Sequence, residues 1–134
     1  MKKILITLMG DNNMIYQGRI AGVALSTEYR EGDRDWALYE KNHGRKDIEK
    51  VFQKMIELIE QDINLVRYRK TSLEWDEESY YKDCFEVGPD LTQDIWSEEE
   101  RQTVRDFADY ELDIIVNLKE GKVMDIILSG YGLP

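Results

Sequence analysis

Residues 112–130 read LDIIVNLKEGKVMDIILSG, two apolar runs on either side of a short polar centre. Glu120-Gly121 is a turn that folds a chain back on itself, so the stretch predicts a hairpin with strands over 112–118 and 123–128. Both runs are apolar enough to be central strands. Such strands need cover, and a segment upstream is patterned to supply it. Ile48, Val51, Phe52, Met55, Ile56 and Ile59 follow the spacing of one helical face. Asp47 then stands at the N-cap or in the first turn, where the helix dipole favours an acid, and Gly44 falls in a loop.

A second helix is announced by its start. Ser97 with Glu100 three residues later matches a capping box, and Glu98, Glu99 and Glu100 fill a first turn that complements the dipole. Val104, Phe107 and Ala108 define its inner face, with Glu111 or Leu112 next in line. The remaining elements carry weaker signals. Residues 3–9 (KILITLM) read as a strand, and residues 14–29 as a second strand with an irregularity at Gly18 and Gly22. REGDRD reads as a turn and WALYEKN as a third strand. Residues 63–75 suggest one more strand, 76–87 a short helix, and GPDLTQDI a loop. Gly130 and Gly132 around Tyr131 suggest a tail that packs on the domain. The predicted fold is a single α+β domain over residues 1–134, with a mainly antiparallel sheet, two main helices packed on one face and a C-terminal β-hairpin. A chain of 134 residues is long enough for one real core without disulfides or metal staples.

The charge is distributed unevenly. Residues 1–70 hold 13 Lys and Arg against 11 Asp and Glu, whereas residues 71–113 hold 3 against 15. The whole formal excess of −10 therefore comes from the middle of the chain. A block of this kind repels nucleic acid directly and attracts basic surfaces. It also holds Trp75, Tyr80, Tyr81, Phe85, Trp96, Phe107 and Tyr110. Acid mixed with aromatic is the composition of a surface that both steers and anchors a partner. The plainer reading makes the acids a solvated face and the aromatics core.

Chemistry is harder to find. His43 is the chain's only histidine, with Glu40 and Asp47 as imaginable orienting carboxylates. No serine or cysteine sits in a nucleophile motif, and a loop histidine before a helix is ordinarily solvated. Gly44, Arg45 and Lys46 suggest an anion corner at a helix N-terminus, but HGRKD lacks the glycine spacing of a P-loop. One histidine and one cysteine argue against a His/Cys metal cluster, and DEESYYKD and GDRDW lack the ligand rhythm of an EF-hand. Cys84 lies between Asp83 and Glu86, whose charge disfavours a thiolate, and reads as a small buried apolar group. A lone cysteine fits a reducing compartment. The apolar run behind Lys2 and Lys3 is too short for a signal peptide or a membrane span, so the cytoplasm is the expected location.

In size, acidity and lack of catalytic motif the chain is similar to small bacterial toxin-immunity proteins and phage-encoded inhibitors. That likeness of type assigns no site residue. The expectation is a binding protein, without catalytic residues, metal or cofactor, that occludes a basic protein such as a nuclease toxin or a nucleic-acid-binding protein. Glu74, Trp75, Asp76, Glu77, Glu78, Tyr80, Tyr81, Asp94, Trp96, Glu98 and Glu99 are the expected contact residues, carboxylates for charge and aromatics as anchors. Two alternatives stand beside it. One is a sensor of small molecules or nucleotides, or an enzyme, using Asp11 with Tyr39, His43, Gly44, Arg45 and Lys46. The other is an assembly subunit that uses the terminal hairpin as an edge.

Overall fold

The terminal hairpin organises the molecule. The computed structural model describes residues 16–27, 30–70, 83–110 and 112–130. Among them, in chain order, run β1 (Gln17–Ile20), β2 (Val23–Thr27), α1 (Arg30–His43), α2 (Arg45–Gln61), β3 (Arg67–Lys70), β4 (Cys84–Val87), α3 (Glu98–Asp109), β5 (Leu112–Lys119) and β6 (Lys122–Gly130). The strands form one sheet in the order β1-β2-β6-β5-β4-β3. The hairpin strands β5 and β6 are central, as their composition predicts. Every neighbouring pair is antiparallel except β2 with β6. Glu120 (φ 53°) and Gly121 (φ 79°) make the turn between them. Two left-handed residues give the tight turn whose twist matches the flanking strands.

Register explains the core. Leu25, Ile126, Val116 and Phe85 are Cα partners across the sheet and share one face. Leu128, Ile114 and Val87 form the next row on that face. These side chains join one cluster with Trp36 and Tyr39 of α1, Phe107 of α3 and the six apolar residues of α2. The opposite face carries Cys84, Ile115, Ile127 and Ser129, all buried as well. Strands buried on both faces read as continuous apolar runs instead of alternating ones, which is why DIIV and DIIL look as they do.

Helix α2 carries the predicted face without change: Ile48, Val51, Phe52, Met55, Ile56 and Ile59 are all buried. Asp47 lies in its first turn, and Gly44 is the N-cap at φ 77°, a single left-handed residue between two helices. Elsewhere the structure corrects the reading. Residues 30–43 form α1, not a turn followed by a strand. Trp36, Tyr39 and His43 recur at helical spacing, and burial of Trp36 and Tyr39 against the sheet outweighs the strand-like look of WALY. Residues 17–27 are a hairpin and not one strand, because Ala21 (φ 50°) and Gly22 (φ 81°) turn the chain. Residues 84–87 are strand β4, paired to β5, where a helix was expected. The expected strand over 63–75 opens as a 3₁₀ turn at Ile63–Leu65 and becomes β3 only at Arg67. The α3 face is narrower than predicted: Thr103 and Phe107 are buried, Val104 is half-buried and Ala108 is exposed. Leu112 belongs to β5. The strand expected over residues 3–9, Asp11, residues 76–82 of the helix expected over 76–87, and the tail at 131–134 lie outside the described residues.

Candidate functional site

The acidic block supplies α3 and the loop before it, and both are firmly held. The Glu100 amide donates to Ser97 Oγ at 3.1 Å, and the Ser97 amide donates back to Glu100 Oε1 at 2.9 Å, completing the capping box. Lys54 of α2 donates to the same Glu100 oxygen at 2.6 Å and to the Ile95 carbonyl, and stands 5.6 Å from the Trp96 ring centroid. Burial works against the charge on Glu100, but Lys54 and the Ser97 amide outweigh it and hold the carboxyl below its ordinary range. Arg101 reaches back along the loop, its Nε donating to the Leu91 carbonyl at 2.8 Å and its Nη2 to the Gln93 carbonyl at 3.1 Å. The Asp90 side chain accepts from the Thr92 amide and hydroxyl at 3.0 and 2.7 Å, which lowers its pKa.

On this frame Asp94, Glu98 and Glu99 face solvent, as the interface reading requires. The Glu98 side chain is 79% exposed and is approached by Arg101 at 3.2 Å and Arg105 at 3.5 Å. Glu99 makes no ion pair among the described residues. Trp96 is not a surface anchor: it is only 2% exposed and belongs to the core cluster. Its neighbour Ile95 is the exposed one. Phe107 is core as well. For these two aromatics the plainer reading holds, and for the nearby acids both readings ask for solvent exposure. Glu74, Trp75, Asp76, Glu77, Glu78, Tyr80 and Tyr81 lie outside the described residues.

The far end of α3 meets the end of α1 in an open cleft of about 410 Å³, lined by Asn42, His43, Asp106, Asp109 and Tyr110. His43 Nε2 lies 3.4 Å from Asp106 Oδ2, with side chains 18% and 33% exposed. Its ring packs 4.6 Å from that of Tyr39. Asn42 Nδ2 donates to Tyr110 Oη at 2.6 Å, and the buried Tyr39 hydroxyl donates to the Thr103 carbonyl at 2.7 Å. Burial first, then the charge of Asp106 and the neighbouring Tyr110, raises the Tyr39 pKa, so its phenol stays protonated. His43 is thus the last residue of a helix and partly covered, not a solvated loop residue.

The carboxylate beside His43 is Asp106, not Glu40 or Asp47. Glu40 is taken by Arg45, whose guanidinium also donates to the Arg19 carbonyl and, at 3.3 Å, to Glu49. Glu49 in turn accepts the Ala21 amide at 2.7 Å, tying α2 to the β1–β2 turn. Arg45 is a strut with two carboxylates on it, which removes the charge that an anion corner would need. The enzyme reading asks for Asp11, Tyr39, His43 and Arg45 in one concavity, and Asp11 lies outside the described residues. The structure brings Tyr39 and His43 together and turns Arg45 toward β1. Among the described residues that line the cleft there is no serine, cysteine or lysine. A second recess, walled by Tyr39, Phe52, Phe107 and other core side chains, has about 10 Å³, too little for a ligand.

Asn42, Asp106, Asp109 and Tyr110 carry no expectation as a group in the sequence. Asp106, Asp109 and Tyr110 stand at i, i+3 and i+4 and so share a face of α3, which was legible. Their partner, the end of α1, was not, because REGDRD and WALYEKN look like a turn and a strand. Among the described residues no three His, Cys, Asp or Glu side chains gather closely enough to hold a metal ion, and no helix is long and apolar enough to cross a membrane. Comparison with protein families, curated proteins and solved structures returns no match for the chain.

Proposed function

We propose that the protein is an acidic binding protein that neutralises a basic protein partner, such as a nuclease toxin or a nucleic-acid-binding protein, by steric and electrostatic occlusion. The observation that carries this reading is the display of carboxylates by an element the core hardly uses. Helix α3 has five carboxylates and two arginines, and Asp94 precedes it. Its exposed acids are free of core duty, and the loop before it is fastened by Lys54 and Arg101, so the charged face keeps a fixed shape. Opposite potentials accelerate encounter, and a preformed face limits the entropy lost on docking. Trp75, Tyr80 and Tyr81 remain the proposed aromatic anchors.

The test is inhibition of a panel of small basic nucleases at one-to-one stoichiometry, with affinity followed from low to high salt. The expected result is inhibition of at least one member that weakens as salt rises. Absence of binding to every basic protein at low ionic strength overturns the proposal. A second reading, acid/base catalysis or ligand sensing at His43, draws on one observation, the approach of His43 to Asp106 in an open cleft. His43→Ala separates the two. In a folded variant, occlusion by the acidic face is at most weakened by that change, whereas catalysis through His43 is abolished.

A further inference from the structure

The residues of the cleft are badly chosen for the stability of α3 alone. A helix C-terminus carries partial negative charge, and cations are favoured there. The last turn of α3 holds no basic residue. It holds Asp106 and Asp109 instead, and both line the cleft. Helix α1 ends at His43 on the opposite wall, so two helix C-termini meet at one concavity. The acceptors there are two carboxylates and the Asn42 amide oxygen, while Asn42 Nδ2 gives one of its two hydrogens to Tyr110 Oη. The Tyr110 ring supplies an aromatic wall, with the pair of Tyr39 and His43 behind it.

A guanidinium matches this set. It is always charged, carries five N–H donors and no acceptor, pairs with carboxylates in a planar fork and stacks on aromatic rings. We infer that the cleft of Asn42, His43, Asp106, Asp109 and Tyr110 receives an arginine side chain of the basic partner. This rests on the proposed function and gives it a specific anchoring point. Asp106 then has two competing partners, His43 and the incoming arginine. Asp109 has no ion-pair partner among the described residues and gains its first.

His43 is the chain's only histidine, so its imidazole signals in NMR report on the cleft without ambiguity. The probe is N-acetyl-arginine amide, titrated into the full chain, with N-acetyl-citrulline amide as the neutral isostere. The expected result is a saturable shift of the His43 signals with the arginine probe and none with the citrulline one. Asp106→Asn and Asp109→Asn should each weaken the arginine probe about threefold, the scale of one partly exposed ion pair. Equal shifts from both probes, or undiminished binding in both variants, overturn the inference. Asp109 is exposed, so its variant stays folded even where Asp106→Asn disturbs the contact with His43. Failure of the site and failure of the function are distinguishable. If the His43 signals answer arginine while no basic nuclease is inhibited, the cleft stands and the function falls. If a nuclease is inhibited equally by the wild type and both Asn variants, the function stands and the cleft falls.

Discussion

Helices α2 and α3 pack against each other and are stabilised by different physics. Helix α2 buries six apolar side chains and carries four basic and four acidic residues. Helix α3 buries Thr103 and Phe107 only and is strongly acidic. Burial holds the first in place. The second relies on a capping box, on glutamates at the favourable end of the dipole, on Lys54 and on one phenylalanine. An element held mainly by its ends leaves its outer face open to choice. In α2 a substitution on the inner face is a substitution in the core, whereas most of the α3 surface can change charge while the fold survives.

The sharpest break of this contrast is at Phe52, which packs near the rings of Trp36 and Phe107. Phe52→Ala should cost about 3–5 kcal/mol in chemical denaturation. A loss below about 1 kcal/mol would mean that the α2 face is not the core. Next comes the joint change of Glu98 and Glu99 to Lys. Stability should fall by at most about 1 kcal/mol per residue, because cations oppose the helix N-terminus. The association rate with a basic partner should fall far more than the dissociation rate changes, and that loss should shrink as salt rises. Ser97→Ala removes the cap and should cost about 1 kcal/mol, measured by thermal or urea unfolding. Lys54→Gln should cost about 1 kcal/mol at neutral pH by breaking the contact with Glu100. The carboxyl of Glu100 is held below its ordinary value of 4.5. Its contribution is therefore present above that value and is lost as pH falls through the lower folded one. The difference between Lys54→Gln and wild type in urea should accordingly narrow between pH 7 and pH 3. The smallest effect has the opposite sign: Asp109→Asn should raise stability by a few tenths of a kcal/mol, since it removes an acid from the wrong end of α3. A measured loss there would show that Asp109 serves the fold and not a ligand.

The same contrast explains what could be read from sequence. Strong local signals carried through: the six-residue face of α2, the box of Ser97 with Glu100, and the Glu120-Gly121 turn each depend on neighbours in the chain. The mainly antiparallel sheet with a central terminal hairpin followed from them. Helix α1 was lost because only Trp36 and Tyr39 among its apolar residues are deeply buried, and WALY in isolation has no helical period. Strand β4 was hidden because CFEV acquires its strand identity from pairing with β5, a partner some thirty residues on. Trp96 illustrates the limit for sites. An aromatic beside acids has the same composition whether it anchors a partner or fills a core, and burial alone decides between them. The pairing of His43 with Asp106 required α1 and α3 to be placed in space.

One pairing has a further consequence for how the chain acquires its shape. The parallel contact of β2 with β6 joins residues about a hundred apart along the chain. Closing a loop of that length costs about 4 kcal/mol of chain entropy before any contact repays it. As the polypeptide emerges during synthesis, β1 and β2 can form their hairpin early, but the inner edge of β2 awaits its native partner β6. The nascent chain therefore carries that strand edge open until about a hundred further residues have been made. Folding to the native sheet awaits the β5–β6 hairpin, and topologies rich in such distant contacts fold slowly.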